Sequence, residues 1–160
     1  MTFKAAAIAA WRDILINRLN NLEANRTAAQ SGTRVDGEHR PSNRGERAAV
    51  TSQGYLALGL GERALATQAH IDSLEDMGTE TRDEVAIGAL LTLSQDGGPH
   101  QRFIVLPGGD ATELQIQGHT VTVLSTQSPL AYQLQDAEAG DVLEVELGSK
   151  VIEIELISLV

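Results

Sequence analysis

Asp36 and Glu38, two carboxylates separated by Gly37, are the residues whose types and spacing best suit chemistry in this chain. Carboxylate oxygens ligate hard divalent cations such as Mg²⁺, which keeps several of its waters and is readily shared with another macromolecule's phosphates or carboxylates. Taken by itself, such a pair is more often a set of solvated loop charges. Other arrangements are weaker. His39, His70, His100 and His119 fall in four different segments with no ligand spacing between them. Ser125 and Ser128 have neither a G-x-S-x-G turn nor a histidine in their segment to make a triad, so capping and turn geometry explain them better. Gly97-Gly98 and Gly108-Gly109 lack the strand-to-helix setting of a phosphate loop and read as hairpin turns.

The acids must be held by what flanks them. Thr2 can cap a helix from Phe3 to about Ala29, in which Ile8, Trp11, Leu15 and Leu22 recur on one side, broadened by Ile14 and Leu19. The composition then changes, and residues 31–45 bring three glycines and a proline among charged side chains, which makes them a loop. Ser42 or Asn43 can cap a second helix reaching about Met77, with Glu46 in its first turn. Val50, Leu56, Leu60, Leu65, Ile71 and Leu74 are its expected apolar face, extended by Tyr55 and Leu58. Gly54, Gly59 and Gly61 suggest close packing or a bend. Two such helices predict an antiparallel hairpin about 40 Å long with the acids at its tip.

After a polar linker, Gly78 to Asp83, the period becomes two. Strands are predicted over 85–93, 102–106, 113–117, 121–124, 142–147 and 150–157, around one short helix opened by Pro129. Ser128 is placed to accept bonds from that helix's first backbone N–H groups. The expectation is an α+β protein with a helical hairpin over 1–78 and a small globular domain over 79–160. Hydrophobic residues make up 42% of the chain, enough for a core, but aromatics are only 3%, so the core must rest on Leu, Ile, Val and Ala. The absence of cysteine excludes disulfides and cysteine-ligated zinc. No apolar run approaches the roughly 20 residues that span a bilayer. The apolar Ala5–Ala10 run is interrupted too soon for a signal peptide, so a cytoplasmic protein is expected. Charge is uneven. Residues 1–78 carry nine basic and nine acidic side chains, whereas 79–160 carry three and thirteen. An acidic globular half repels nucleic acid and suits a basic protein surface.

The stretch Leu124-Ser125-Thr126-Gln127-Ser128-Pro129-Leu130, followed by Gly140-Asp141-Val142-Leu143-Glu144-Val145, resembles the C-terminal signature of the bacterial GreA/GreB transcript-cleavage factors. In that family an SPQSPLG turn precedes a GD-x-V-x-V strand. The resemblance covers residues 121–160 well and the rest of the chain more weakly. It implies an antiparallel coiled coil followed by a domain of the FK506-binding-protein type, with bacterial RNA polymerase as partner and RNA and DNA met only within the elongation complex. It further implies that Asp36 and Glu38, with Glu46 as a lesser third acid, enter the polymerase's secondary channel. There they would help bind a shared Mg²⁺ and assist the cleavage of backtracked RNA. Ser128, Pro129 and Leu130 would dock the C-terminal domain.

On this reading the chain is an accessory factor with no tightly bound cofactor of its own, and the bond-breaking centre belongs to the polymerase. Prolyl isomerisation is not expected, because Phe103 and Tyr132 are too few aromatics to line such a pocket. Two alternatives stand beside it. Asp36-Gly37-Glu38 differs from the family's Asp-x-x-Glu, and Arg34, Arg40, Arg44 and Arg47 make the tip less acidic, which allows a channel regulator that does not promote cleavage. The other is a coiled-coil adaptor unrelated to transcription.

Overall fold

The structure, a computed structural model, describes residues 1–32 and 43–160. Two long helices come first, α1 (Phe3–Ser31) and α2 (Arg44–Glu75). Thr2 caps α1, its Oγ1 accepting the Ala5 N–H at 3.2 Å. Asn43 caps α2, its Oδ1 accepting the Glu46 N–H at 2.9 Å. The helices form an antiparallel hairpin, since Gly61 of α2 lies against Arg26 and Gln53 lies against Gly32.

The apolar seam of α2 differs from expectation. Ala57, Ala64, Ile71 and Leu74 are buried, whereas Tyr55, Leu56, Leu58 and Leu65 are all at least half exposed. A seam between two helices repeats every seven residues. Positions 57, 64 and 71 keep that register, and the leucines at 56 and 65 fall to either side of it. The glycines neither break nor end the helix; a side chain at Gly61 would meet Arg26, while Gly59 faces open space.

The chain divides into two compact units. One is residues 14–71, the larger part of the hairpin. The other joins residues 1–13 and 72–160, so the first turns of α1 belong with the sheet. That sheet has six strands: β1 (Leu90–Gln95), β2 (His100–Val105), β3 (Thr112–Ile116), β4 (His119–Leu124), β5 (Val142–Leu147) and β6 (Lys150–Leu159), with α3 (Pro129–Gln133) between β4 and β5. The spatial order is β3-β4-β2-β1-β6-β5. β2 and β4 run parallel, Arg102 opposite Val121, and the other neighbours are antiparallel. The architecture is therefore a helical hairpin followed by a mixed sheet with one short helix, an α+β fold.

β1 starts later than expected. Residues 85–89 are not strand: Gly88 takes a φ of +91° and the Ala89 N–H turns back to the Ala86 carbonyl at 2.9 Å. Val85 and Ala89 are buried all the same, which explains why an apolar run there looked like a strand. Alternation along the strands gives the sheet two buried faces. On one, Leu91, Leu93, Phe103, Val105, Ile154 and Leu156 pack with Leu130, Ala131 and Leu134 of the α3 segment. On the other lie Ile104, Val121 and Val123, each fully buried.

The start of α1 is tied into this second unit by specific contacts. Phe3 meets His119 edge-on, with ring centroids 6.2 Å apart, and the Arg102 guanidinium sits 5.3 Å from the Phe3 ring. Trp11 is wholly buried and donates its indole N–H to the Pro107 carbonyl at 2.9 Å. Lys4 is only 6% exposed, and its ammonium donates to the Glu80 carbonyl at 2.5 Å and the Val160 carbonyl at 3.3 Å. Burial, with Arg82 nearby, lowers the Lys4 pKa below the ordinary lysine value against the opposing pull of Glu80.

Candidate functional site

The segment after β4 builds a turn of defined shape. The Ser128 N–H and hydroxyl both reach back to the Ser125 carbonyl, at 3.2 and 2.8 Å. Ser128 is the N-cap of α3 by backbone (φ −63°, ψ 140°), but its side chain accepts no bond from the helix N–H groups. Its hydroxyl instead closes the turn before the helix, and so differs from the capping expected. Pro129, whose missing N–H is an orphan at a first helical position anyway, opens α3. The Tyr132 N–H then closes on the Ser128 carbonyl at 2.9 Å.

This geometry divides the turn into an inside and an outside. Leu130 and Ala131 are buried in the core, whereas Pro129 is exposed and Tyr132 is 68% exposed. Of the three residues expected to dock a partner, Pro129 is at the surface, Ser128 is half-buried and Leu130 anchors the turn from below. Tyr132 was not singled out from sequence. Its signal would have been the helical offset from Leu130, which turns one side chain outward when the other turns in.

Gln133 ties the same turn to the neighbouring strand. Its carboxamide Oε1 accepts the Glu146 N–H at 2.8 Å, and its Nε2 donates to the Glu146 carbonyl at 2.5 Å and to the Pro129 carbonyl at 3.2 Å. Beyond α3, Asp141 Oδ2 accepts the Glu138 N–H at 2.9 Å, closing the turn into β5. The Gly140 N–H and the Asp141 carbonyl then bond to Leu156, which seats the Gly-Asp pair against β6.

The charge around this site is acidic. Glu144 stands opposite Glu153 and Val142 opposite Glu155, with Glu146 opposite Val151; all six side chains are exposed. Like charges directly opposite one another are unfavourable in a sheet. The β5–β6 ribbon nonetheless presents its glutamates to solvent on one side.

Asp36 and Glu38, the candidate tip acids and Mg²⁺ ligands, lie outside the described residues, as does His39. Their flanks are described: α1 ends at Ser31, and α2 begins at Arg44, with Glu46 half-buried in its first turn. Among the described residues no group of three or more His, Asp or Glu side chains is placed to hold a metal ion. Two histidines do come together. The parallel register of β2 and β4 sets His100 and His119 at the same end of adjacent strands, beside an open hollow of about 780 Å³ lined also by Gln101, Phe103, Glu113 and Thr122. Only the strand order brings these residues together, so sequence spacing held no sign of it. No described helix is long and apolar enough to cross a membrane.

No protein-family model and no curated protein matches the chain. Among solved structures, the chain is similar to the crystal structure of GreA factor homolog 1 (Gfh1) of Thermus thermophilus, at 18% identity and a TM-score of 0.36, covering 92% of this chain and 93% of that one. A second structure of the transcription factor Gfh1 is matched at 17% identity and a TM-score of 0.38 over 92% of each chain. Gfh1 of Thermus aquaticus is matched at 20% identity and a TM-score of 0.37, over 90% of this chain and 92% of that one.

Proposed function

We propose that this chain is a GreA/GreB-like accessory factor of bacterial RNA polymerase, which docks by its sheet unit and carries Asp36 and Glu38 into the secondary channel to stimulate cleavage of backtracked RNA. The observation that carries the reading is the turn at 128–132. Its sequence is the one that resembles the family's docking signature, and it holds Pro129 and Tyr132 outward over a buried Leu130. A rigid turn with an exposed aromatic beside a proline suits a protein partner, because such side chains contribute contact area while losing little conformational freedom. The acidic β5–β6 ribbon supports a basic docking surface and argues against direct wrapping of nucleic acid.

The bond-breaking centre would be the polymerase's own, with the factor as an accessory in the cytoplasm. Carboxylate oxygens are the right donors for Mg²⁺, and Asp36 and Glu38 would share that ion with the polymerase. A second reading has its own support in the sequence: the Asp-Gly-Glu spacing and the arginines around it favour a channel regulator that binds without promoting cleavage.

A stalled, backtracked elongation complex separates the two. Wild-type protein is expected to bind core polymerase and accelerate transcript cleavage, and Asp36→Ala with Glu38→Ala to abolish the acceleration while leaving binding intact. A double variant as active as wild type would remove these acids from the mechanism. Binding without acceleration by the wild type would establish the regulator, and no binding at all would leave the adaptor.

A further inference from the structure

We infer that Gln133 is the positioning residue of the docking turn, an inference that rests on the polymerase-docking reading. β5 is the last strand of the sheet, so among the described residues its outer edge has no strand beside it. At Glu146 that edge is met by one side chain, the Gln133 carboxamide, which bonds both the N–H and the carbonyl as a neighbouring strand residue would. The second Nε2 hydrogen goes to the Pro129 carbonyl. The carboxamide thus uses its acceptor and both its donors, and each bond joins the turn to itself or to the strand.

The apolar contacts beneath the turn cannot supply this. Leu130, Ala131 and Leu134 hold α3 against the core, but burial of apolar surface is non-directional and sets the angle of the turn to β5 less sharply than hydrogen bonds do. Hydrogen bonds to two groups of a single strand residue fix both position and angle. Pro129 and Tyr132 lie on the same short turn, within four residues of Gln133, so the direction in which they face the partner follows from this clasp. The clasp also closes part of a free strand edge that would otherwise be open to pairing with another chain.

Gln133→Ala is expected to weaken binding to core bacterial RNA polymerase about tenfold, the loss of one or two net hydrogen bonds' worth of orientation. The Glu146 amide, followed by hydrogen exchange in the free protein, should lose its protection while the amides of β6 keep theirs. Gln133→Glu supplies a conservative counterpart. Ionised, it still accepts the Glu146 N–H but repels the Glu146 carbonyl; protonated, it regains a donor, so its binding deficit relative to wild type should narrow as the pH falls toward the carboxyl range. Thermal unfolding of both variants checks that the sheet is intact. If wild type binds polymerase and a folded Gln133→Ala binds equally well, the inference is wrong although the docking reading stands. If wild type itself does not bind, the docking reading fails first, and Gln133 has no docking to position.

Discussion

Replacing Trp11 tests whether the first turns of α1 are part of the sheet unit's core. Trp11 is fully buried and its indole N–H reaches the Pro107 carbonyl at 2.9 Å, although the two residues are 96 positions apart. Truncation to alanine removes a large buried aromatic and strands that carbonyl, at a cost of about 3–5 kcal/mol on the scale of buried aromatic-to-alanine changes. Trp11→Phe keeps much of the apolar bulk and removes the donor to the half-buried Pro107 carbonyl, so its cost should be about 0.5–1.5 kcal/mol, the net worth of one hydrogen bond. Leu58→Ala, at a side chain that is 62% exposed, should stay within about 0.5 kcal/mol of wild type. Urea unfolding followed by far-UV circular dichroism measures all three. Because Trp11 is the chain's single tryptophan, its fluorescence gives an independent readout. Native emission should be blue-shifted and shielded from aqueous quenchers, and should move to the red with the same midpoint as the loss of β-sheet signal. An exposed native spectrum, or a Trp11→Ala variant as stable as wild type, would refute the assignment of α1's first turns to this core.

Three further outcomes follow from the geometry. A Cβ at Gly109 would lie 2.2 Å from the Leu124 carbonyl carbon, so Gly109→Ala should destabilise the sheet unit by several kcal/mol or prevent soluble expression, as thermal unfolding would show. Asn43→Ala removes the cap of α2 and should cost about 1 kcal/mol, read as earlier loss of helical signal on heating. Lys4 has a folded-state pKa below its unfolded value, so between those two values the unfolded chain holds more protons and stability should rise with pH. That gain, confined to the alkaline window just below the ordinary lysine pKa, should be absent in Lys4→Met.

Much of the local structure could be read from residue order. Thr2 caps α1 as expected and Asn43, one of two candidates with Ser42, caps α2, since capping depends on side chains within three residues of the helix start. The six strands and the Pro129 helix emerged from period-two alternation and turn residues, both short-range signals. The failures have the opposite character. Val85 and Ala89 are apolar and buried although Ile87 between them is exposed, and buried apolar residues alone do not distinguish a strand from a turn held at Gly88. In α2 the leucines at 56 and 65 stood out by size, yet the seam selects Ala57 and Ala64, because the position of the partner helix decides which side is covered. Ser128 was assigned a cap by residue type, and its hydroxyl was drawn to the nearer Ser125 carbonyl.

The chain's own order of residues therefore determined most of the elements, the caps of the two long helices and the place of the turn at Pro129, since each depends on groups only a few bonds apart. Tertiary structure alone decided that β2 lies parallel to β4, that Trp11 belongs to the sheet's core, and that Gln133 closes the edge of β5. These are contacts between segments far apart in sequence or on separate elements. They form only when the chain gains enough by burying both faces of the sheet to offset the entropy of closing the long loops between them.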